Sequence, residues 1–391
     1  MYLDNGATTY TKPPSVIRAV NQAMQTGANP GRSGHRLSLK SGELVYRCRE
    51  DVARLFSFDK PENVIFTPNC TASLNIVMQG LLHSGDHVVI SSLEHNAVVR
   101  PLEALKKRGV SYTVAQAVEG DDEATIRRFR SAFRQNTRLC VCTHASNVFG
   151  VRLPVERLAA LCHLNGVLFC LDAAQSAGVL PISLSGSSID YLCAAGHKGL
   201  YGPMGTSILV INSDTVPDSL IQGGTGSFSS DRRQPEVLPD RFESGTPNLP
   251  GIAGLGEGVR FVLRRGTAAI FRHEMALCQQ LYRSLEKTDG VTLYTAYPQP
   301  QTHAPVLSFN IEGMDSEQVA EILSRQYGIA VRAGLHCAPL AHETFGTEET
   351  GTVRVVPSVF TQPRQIQLFS EIVKKISKLD RKKVATSRKM C

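Results

Sequence analysis

The sequence predicts an α/β protein in which a large, doubly wound and mostly parallel sheet domain is joined to a smaller α+β domain. Short runs of β-branched and aromatic residues alternate with segments of helical periodicity through the first half of the chain. Strands that alternate with helices typically form a parallel sheet with helices on both faces. With 391 residues, the chain is long enough to bury a large core and to divide into two lobes.

The strands of the large sheet are predicted from their apolar and β-branched content, and helical periodicity separates them. The predicted strand segments are 63–67, 88–90, 138–150, 167–178, 190–199 and 205–212. Helices are predicted at about 41–56 and at 154–165, and the segment 28–38 has the composition of a loop. The second half should contain a long helical region over about 252–285, a strand in 304–313, an amphipathic helix over 316–328 and a last helix near 365–376.

The domain boundaries are expected where the composition changes. A polar stretch rich in glycine, proline and serine covers 222–248, and loops of this length are usually functional or disordered. We expect the large domain over residues 15–250 and the small domain over residues 1–14 plus 251–380. Residues 381–391 should form a basic, mobile tail that ends at Cys391, whose role is open.

Composition argues against several classes of function. The net charge is +7, and the basic tail has no interleaved aromatic residues, so we expect no nucleic-acid partner. The N-terminus lacks the pattern of a signal peptide, and no apolar run approaches the ~18 residues of a membrane helix, so we expect a cytoplasmic protein without membrane contact. The ten cysteines have no zinc-ligand spacing, which predicts reduced, mostly buried thiols and no metal.

Polar side chains follow five of the predicted strands at the point where each strand ends. They are Thr71, His95, Asn147, Asp172 and Lys198. Open α/β sheets bind ligands at the edge formed by the carboxyl ends of their parallel strands. We therefore expect these five side chains to converge on one crevice.

Lys198 lies in the glycine-rich segment CAAGHKGLYGPMG, where no long side chain shields its amine. Glycines permit turns and the close approach of a bulky planar ligand. An amine in a cramped, partly dry pocket loses proton affinity and becomes a nucleophile towards carbonyl groups. A surface lysine in an ordinary glycine-rich loop is the alternative.

The segment PNCTASLN, residues 68–75, connects the first predicted strand to a helix. It offers Asn69, Thr71, Ser73 and the backbone N–H groups of a helix start, which together form a site for an anion such as phosphate. An ordinary helix cap is the alternative.

A lysine for an aldehyde, an aspartate for a ring nitrogen, a histidine for a ring face and a phosphate turn together suit pyridoxal 5′-phosphate. The chain resembles the class V aminotransferase family of fold-type-I pyridoxal-phosphate enzymes, and within it the cysteine desulfurases of the NifS/SufS kind. The matching stretches are YLDNGATT, EHN, SNVFG, DAAQ, GHKGLYGPMG, RFESGTPN and VRAGLHCAP, and they run from residue 2 to about residue 360.

The resemblance implies a role for each matching residue. Lys198 would bind the cofactor aldehyde covalently and move protons at the substrate α-carbon, and Cys337 would be the nucleophile that takes the sulfur as a persulfide. Around the cofactor ring, the resemblance implies stacking by His95, pairing of Asp172 with the ring nitrogen and a bond from Gln175 to the phenolic oxygen. The phosphate would be bound by Cys70, Thr71 and His197, and by Thr246 from the partner subunit of a homodimer. The substrate would be bound by Arg354 and Asn147, and Arg332 would support the edge of the site.

The environment of Cys337 supports its implied role. It lies in the turn-like segment RAGLHCAP, beside His336 and close to Arg332, and basic neighbours favour a thiolate. A desulfurase needs such a thiolate, whereas an aminotransferase does not. A buried, inert cysteine is the alternative.

The sequence departs from the family pattern at two positions of the phosphate site. Ala195 stands where a serine is common, and Cys70 precedes Thr71 where a threonine or alanine is common. The short spacing between Cys337 and Arg354 resembles the SufS type, which implies a protein that accepts the sulfur.

The resemblance leaves several functions open. The expected substrate is L-cysteine, and a selenocysteine lyase or another class V aminotransferase or lyase is the alternative. Iron–sulfur cluster assembly is among the pathways that would use the sulfur. A scaffold protein with a degenerate site is disfavoured because Lys198, Asp172 and His95 are all present.

Overall fold

The computed structural model describes residues 1–30 and 33–387, with side chains described as far as residue 378. Within these residues, a seven-stranded sheet and a three-stranded sheet are formed by ten strands. The strands are β1 Val64–Thr67, β2 His87–Ser91, β3 Ser111–Ala115, β4 Thr137–Thr143, β5 Leu168–Asp172, β6 Tyr191–Ala195, β7 Ser207–Ile211, β8 Val291–Leu293, β9 Leu307–Ile311 and β10 Val353–Val355.

Eleven α-helices accompany the strands in the described part of the chain. They are α1 Pro14–Thr26, α2 Arg36–Leu55, α3 Cys70–Leu81, α4 Asn96–Lys106, α5 Asp122–Ala132, α6 Val155–Leu164, α7 Leu249–Arg265, α8 Thr267–Leu285, α9 Ser316–Tyr327, α10 Pro339–Phe345 and α11 Pro363–Ser387.

The large sheet confirms the predicted α/β fold. Its strand order is β1-β7-β6-β5-β4-β2-β3. The strands β3, β2, β4, β5 and β6 are mutually parallel, whereas β7 is antiparallel to both of its neighbours, β6 and β1. All six predicted strand segments of this sheet contain a strand.

Helices cover both faces of the large sheet, as in a doubly wound fold. Strand β4 shows the two faces, since Cys140 and Cys142 pack with α5, α6 and α7 on one side, while Leu139 and Val141 pack with α3 and α4 on the other. The two cysteines therefore share one face of the sheet. Of the cysteines that the structure describes, Cys337 is exposed and the other eight are buried.

The second sheet is antiparallel, with the order β10-β9-β8. It packs against α8, α9 and α11 around a separate apolar cluster that includes Phe309 and Phe369. Helix α9 ends as predicted at Gly328, whose φ of 63° closes the helix in the left-handed region. The division into domains at residues 14, 250 and 380 stays a prediction.

Two predicted helix boundaries were wrong, and one predicted helical region consists of two helices. Helix α2 begins at Arg36 rather than residue 41, because the ring of His35 accepts a hydrogen bond from the backbone of Ser38 and caps the helix. The region 252–285 forms two helices, which are separated at Gly266 with φ of 80°. Helix α11 continues to Ser387, beyond the predicted end near residue 376, and Cys391 lies outside the described residues.

The described residues show no helix with the length and apolarity that crossing a membrane requires. In the same residues, no cluster of three or more histidine, cysteine or acidic side chains is arranged to bind a metal ion.

A buried acid in helix α8 should make stability depend on pH. Glu274 is 3% exposed, its Oε1 accepts a hydrogen bond from Tyr201, and burial raises its pKa to about 8. In the unfolded chain a glutamate has a pKa near ~4.3, so the folded state loses stability as the pH rises from about 4 to about 8. We expect Glu274→Gln to raise the free energy of unfolding at pH 9 by a few kcal/mol, and to change it little at pH 4.

Urea unfolding of the two proteins at pH 4 and pH 9 measures this difference. Glu286→Gln, at an exposed position just after the same helix, is the matched control and should leave both values unchanged. An equal effect of Glu274→Gln at the two pH values would contradict the assignment.

Candidate active site

A cleft of about 230 Å³ opens at the carboxyl edge of the large sheet. Ten of the twelve residues that the sequence predicted for the site line it. These ten are Cys70, Thr71, His95, Asn147, Asp172, Gln175, His197, Lys198, Arg332 and Arg354. The predicted convergence of five strand ends on one crevice is present in the structure.

Lys198 follows strand β6 and is half-buried in the wall of the cleft. Burial lowers the pKa of its ammonium group, and the nearby carboxylate of Asp172 opposes that effect. An amine with lowered proton affinity is more often unprotonated and nucleophilic at neutral pH.

The glycines around Lys198 are needed for backbone packing rather than for the approach of a ligand. A Cβ on Gly196 would lie 2.3 Å from the carbonyl oxygen of Thr206, and one on Gly199 would lie 2.4 Å from that of Ala177. Both distances are far below van der Waals contact. The two glycines therefore fix the path of the turn that carries Lys198.

Asp172 ends strand β5 and is 4% exposed. Its Oδ1 accepts hydrogen bonds from the backbone N–H of Ala174 at 2.9 Å and from the thiol of Cys70 at 3.7 Å. Burial raises the pKa of the carboxyl, while these two donors and Lys198 favour the charged form. A buried carboxylate in this position can pair with a cationic ring nitrogen.

His95 caps helix α4, and its Nδ1 accepts a hydrogen bond from the backbone N–H of Ala97 at 3.0 Å. Burial, followed by the charge of Lys198, lowers the pKa of the ring to about 4. The imidazole is therefore neutral at neutral pH, with its proton on Nε2. A neutral flat ring in the cleft can stack on an aromatic ligand.

Helix α3 begins in the cleft at Cys70, directly after its cap Asn69. Thr71 is exposed in the first turn, where helix N–H groups have no intrahelical partners and attract anions. Ser73 does not contribute, contrary to the prediction, because its buried hydroxyl is bonded to Thr67 and to the carbonyl oxygen of Ile208.

His197 is a further polar residue that lines the cleft. Its Nδ1 is buried without a hydrogen-bond partner among the described residues. Burial, together with the charges of Lys198 and Lys12, lowers the pKa of the ring to about 4. A buried nitrogen without a partner is costly, so a bound ligand that bonds to it would be favoured.

Arg354 lies in the short strand β10 and is 1% exposed. Its Nη2 forms a 2.8 Å ion pair with Asp4, and its Nη1 donates to the carbonyl oxygen of Asn147 at 2.8 Å. Its Nε has no partner among the described residues. The guanidinium is thus held rigidly in the cleft wall, as recognition of a carboxylate requires.

Cys337 lies at the rim of the cleft in an exposed turn with φ of 59°. Its carbonyl oxygen accepts a 2.7 Å hydrogen bond from the backbone of Asn96, next to His95. Its Sγ lies 3.4 Å from Nη2 of Arg332, which lines the cleft. The fold therefore places one accessible thiol beside a guanidinium at the entrance.

His336 does not act as a basic neighbour of Cys337, contrary to the sequence-based interpretation. It is 2% exposed, and burial lowers the pKa of its ring far below neutrality. Its Nε2 bonds to the carbonyl oxygen of Arg332, and its own carbonyl oxygen accepts from the amide of Asn147. The neutral ring anchors the turn, and Arg332 is the cation that contacts the thiol.

Of Thr246 and Gln175, the two remaining predicted residues, only Gln175 lines the cleft. Thr246 is exposed and lines a separate cavity with Thr206 and Asn248, so one chain does not bring it to the cleft. Gln175 does line the cleft, and its amide donates to the carbonyl oxygen of Gly6 at 3.0 Å.

Sequence reasoning missed the N-terminal contribution and one buried acid. Asp4 and Gly6 pack on Arg354, and a Cβ on Gly6 would lie 3.2 Å from the guanidinium carbon. Glu94 is fully buried beside His95 and accepts from the backbone of Thr143 at 2.8 Å. The stretch YLDNGATT was the available signal, since it matched the family without any role for its residues.

The chain is similar to known proteins over nearly all of its length. The aminotransferase class-V family model matches residues 1–369. A probable cysteine desulfurase of Methanothermobacter thermautotrophicus is 35% identical over 96% of this chain and 94% of its own length. A probable cysteine desulfurase of Pyrococcus abyssi is 32% identical over 97% of this chain and 94% of its own length.

Solved structures agree with these relatives. The apo structure of a cysteine desulfurase from Thermococcus onnurineus NA1 has a TM-score of 0.87 and 32% identity, and the match covers 97% of this chain and 94% of that one. The Escherichia coli cysteine desulfurase CsdA, in its S-sulfonic acid form, has a TM-score of 0.86 and 25% identity with the same two coverages.

Proposed function

The chain belongs to the aminotransferase class-V family, and from this premise we propose that it is a pyridoxal-phosphate-dependent cysteine desulfurase. The observation that carries the proposal is the accessible thiol of Cys337 at the rim of a cleft that holds Lys198 and Asp172. An enzyme that only transfers amino groups needs the lysine and the aspartate but has no use for that thiol.

The cleft fits pyridoxal 5′-phosphate. The buried Nδ1 of His197 without a partner and the N-terminus of α3 suit a phosphate, and the carboxylate of Asp172 suits a protonated pyridine nitrogen. His95 would stack on the ring, Gln175 would bond to the phenolic oxygen, and Lys198 would bind the aldehyde. When bound, the cofactor supplies an electron sink for the bonds at the substrate α-carbon.

Substrate binding, proton transfer and acceptance of the sulfur would be carried out by residues of the chain itself. Arg354 would bind the substrate carboxylate, with Asn147 holding its Nη1 and Asp4 its Nη2. Lys198, whose pKa is lowered by burial, would accept the α-proton and later return a proton. Overall, L-cysteine and the thiol of Cys337 would give L-alanine and a persulfide on Cys337, with the cation of Arg332 favouring the thiolate.

The proposal also covers assembly and partners. We propose a cytoplasmic homodimer in which Thr246 of one copy reaches the phosphate of the other, because Thr246 is exposed and does not line the cleft of its own chain. A sulfur-acceptor protein would take the persulfide sulfur, with iron–sulfur cluster assembly as one destination.

Selenocysteine lyase is the alternative function, and comparing the release of selenide with that of sulfide distinguishes the two.

Arg354→Lys should weaken substrate binding while leaving the cofactor in place. An ammonium group loses the paired geometry of the guanidinium, and one charged hydrogen bond is worth about 1.5–3 kcal/mol. We expect the KM for L-cysteine to rise about 10- to 100-fold, which steady-state kinetics measures. The visible spectrum of the bound cofactor should not change, and an unchanged KM would exclude Arg354 from carboxylate binding.

Release of alanine from L-cysteine tests the proposed function. The purified chain is loaded with pyridoxal 5′-phosphate and given L-cysteine and a thiol reductant, and alanine and sulfide are measured. Equal amounts of both products are expected. A chain that binds the cofactor but forms pyruvate or an amino-transfer product instead would contradict the desulfurase proposal.

A further inference from the structure

The carbonyl oxygen of His197, directly before Lys198, is the acceptor for four donors from the N-terminal segment. The backbone N–H of Thr9 lies 3.1 Å from it, and the hydroxyls of Thr8 and Thr9 lie 3.2 and 3.0 Å from it. The ammonium group of Lys12 is 3.0 Å away. A backbone oxygen has two lone pairs, so this concentration of donors is well beyond what satisfying it requires.

Lys12 supplies the only charge among these four donors. Its Nζ also donates to the hydroxyl of Thr9 at 2.5 Å, which fixes it from a second direction. The side chain is half-buried, and burial lowers its pKa to about 8. A hydrogen bond from an ammonium group to a carbonyl is stronger than one from a hydroxyl, and partial burial strengthens it further.

The same N-terminal segment reaches three other parts of the cleft. The hydroxyl of Thr9 also lies 3.2 Å from the carbonyl oxygen of Lys198, so its single hydrogen is shared between the carbonyl oxygens of His197 and Lys198. Asp4 pairs with Arg354, and the carbonyl oxygen of Gly6 accepts from Gln175. Residues 4–12 therefore connect the lysine turn with the arginine that would bind substrate.

The turn that carries Lys198 is packed through its backbone at Gly196 and Gly199, close to the carbonyl oxygens of Thr206 and Ala177. The peptide between His197 and Lys198 lies between these two glycines, and the donors of the N-terminal segment bond to its carbonyl oxygen. The side chain of Lys198 projects from a backbone whose direction is set by this peptide. Because Lys12 holds that peptide, loss of the cation should let the lysine point away from the productive direction.

We propose that Lys12 is a positioning residue whose ammonium group holds the His197–Lys198 peptide, so that Lys198 is aimed for covalent capture of the pyridoxal-phosphate aldehyde. The inference rests on the proposed function, since it assumes that this cofactor is the ligand of the cleft. Lys12 does not line the cleft and would not touch the cofactor. Its effect would be exerted through Lys198.

A double-mutant cycle on cofactor affinity tests this role. The dissociation constant of pyridoxal 5′-phosphate is measured by titrating the cofactor-free protein, with Lys12→Met made in the wild-type chain and in Lys198→Ala. We expect Lys12→Met to weaken binding about tenfold or more when Lys198 is present. In Lys198→Ala, where no covalent bond forms, Lys12→Met should change the dissociation constant of the cofactor by no more than about twofold.

Conservative variants complete the cycle. Lys12→Arg keeps a cation and should restore most of the affinity, whereas Lys12→Gln keeps only a neutral donor and should behave like Lys12→Met. Urea unfolding shows whether each variant is folded, and Lys12→Gln replaces Lys12→Met in the cycle if the methionine variant is not.

Two results would overturn the inference. If Lys12→Met weakened cofactor binding equally in both backgrounds, the Lys12 cation would act on the phosphate or on the fold as a whole. If it weakened cofactor binding in neither background, the contact of Lys12 with the His197 carbonyl oxygen would not position Lys198. Failure of the unmodified chain to bind the cofactor is a different result, which would overturn the proposed function and this inference with it.

Discussion

Lys198→Ala is expected to lower the rate of alanine formation from L-cysteine on the order of 10⁴-fold, the upper end of what a positioned acid–base group contributes. Lys198 is the amine of the cleft that would bind the aldehyde and move the α-proton, and its pKa is lowered by burial for that task. The variant should still bind pyridoxal 5′-phosphate through His197 and Asp172, but without the visible absorption of the lysine-bound cofactor.

Two measurements check this prediction, the initial rate of alanine formation and the visible spectrum. Lys107→Ala, at an exposed position after helix α4, is the matched control and should change neither. Retention of the lysine-bound spectrum in Lys198→Ala would show that another amine binds the cofactor.

Cys337→Ser is expected to abolish sulfur transfer while the cofactor remains bound. Serine keeps the size of the side chain in the strained turn with φ of 59°, but its hydroxyl is a far weaker nucleophile than a thiolate. We expect sulfide production in the presence of a reductant to fall to the background level, because loss of a catalytic nucleophile can cost on the order of 10⁶-fold in kcat. The visible spectrum should be that of the wild type.

A second cysteine variant separates this effect from a general loss of thiols. Cys162 is 1% exposed in helix α6 and remote from the cleft, so Cys162→Ala should keep sulfide production near the wild-type level. If Cys337→Ser retained full activity, Cys337 could not be the residue that receives the sulfur.

Local patterns predicted the part of the site that follows the sheet strands. Asp172 ends one short buried strand, and His95 and Lys198 come soon after two others; parallel strands bring their carboxyl ends to one edge. Such residues can be found without a structure because the strand pattern alone decides where they meet.

Long-range contacts account for most of what the sequence did not predict. Asp4 and Arg354 are 350 residues apart, and no periodicity or composition links them. The contact of Lys12 with the carbonyl oxygen of His197 spans 185 residues in the same way. Both depend on where the N-terminal segment lies across the edge of the sheet, and this is a tertiary arrangement that a local pattern does not encode.

Burial changed the interpretation of two residues that sequence chemistry had assigned. The sequence predicts His336 as a basic neighbour of Cys337, but burial lowers the pKa of its ring and keeps the ring neutral. Arg332 is therefore the charged neighbour of the thiol. The sequence predicts Ser73 as a hydrogen-bond donor to a phosphate, but its hydroxyl is bonded to Thr67 and to the carbonyl oxygen of Ile208. Side-chain type indicates what a residue can do, whereas burial decides which of its groups are available.

A single turnover without reductant tests the central claim most directly. The cofactor-loaded chain is mixed with excess L-cysteine, alanine is counted per active site, and the peptide that contains Cys337 is weighed by mass spectrometry. The proposal predicts one alanine per site and a gain of one sulfur atom on Cys337 that a reductant removes. Alanine without added sulfur on that peptide, or added sulfur on another cysteine, would contradict it.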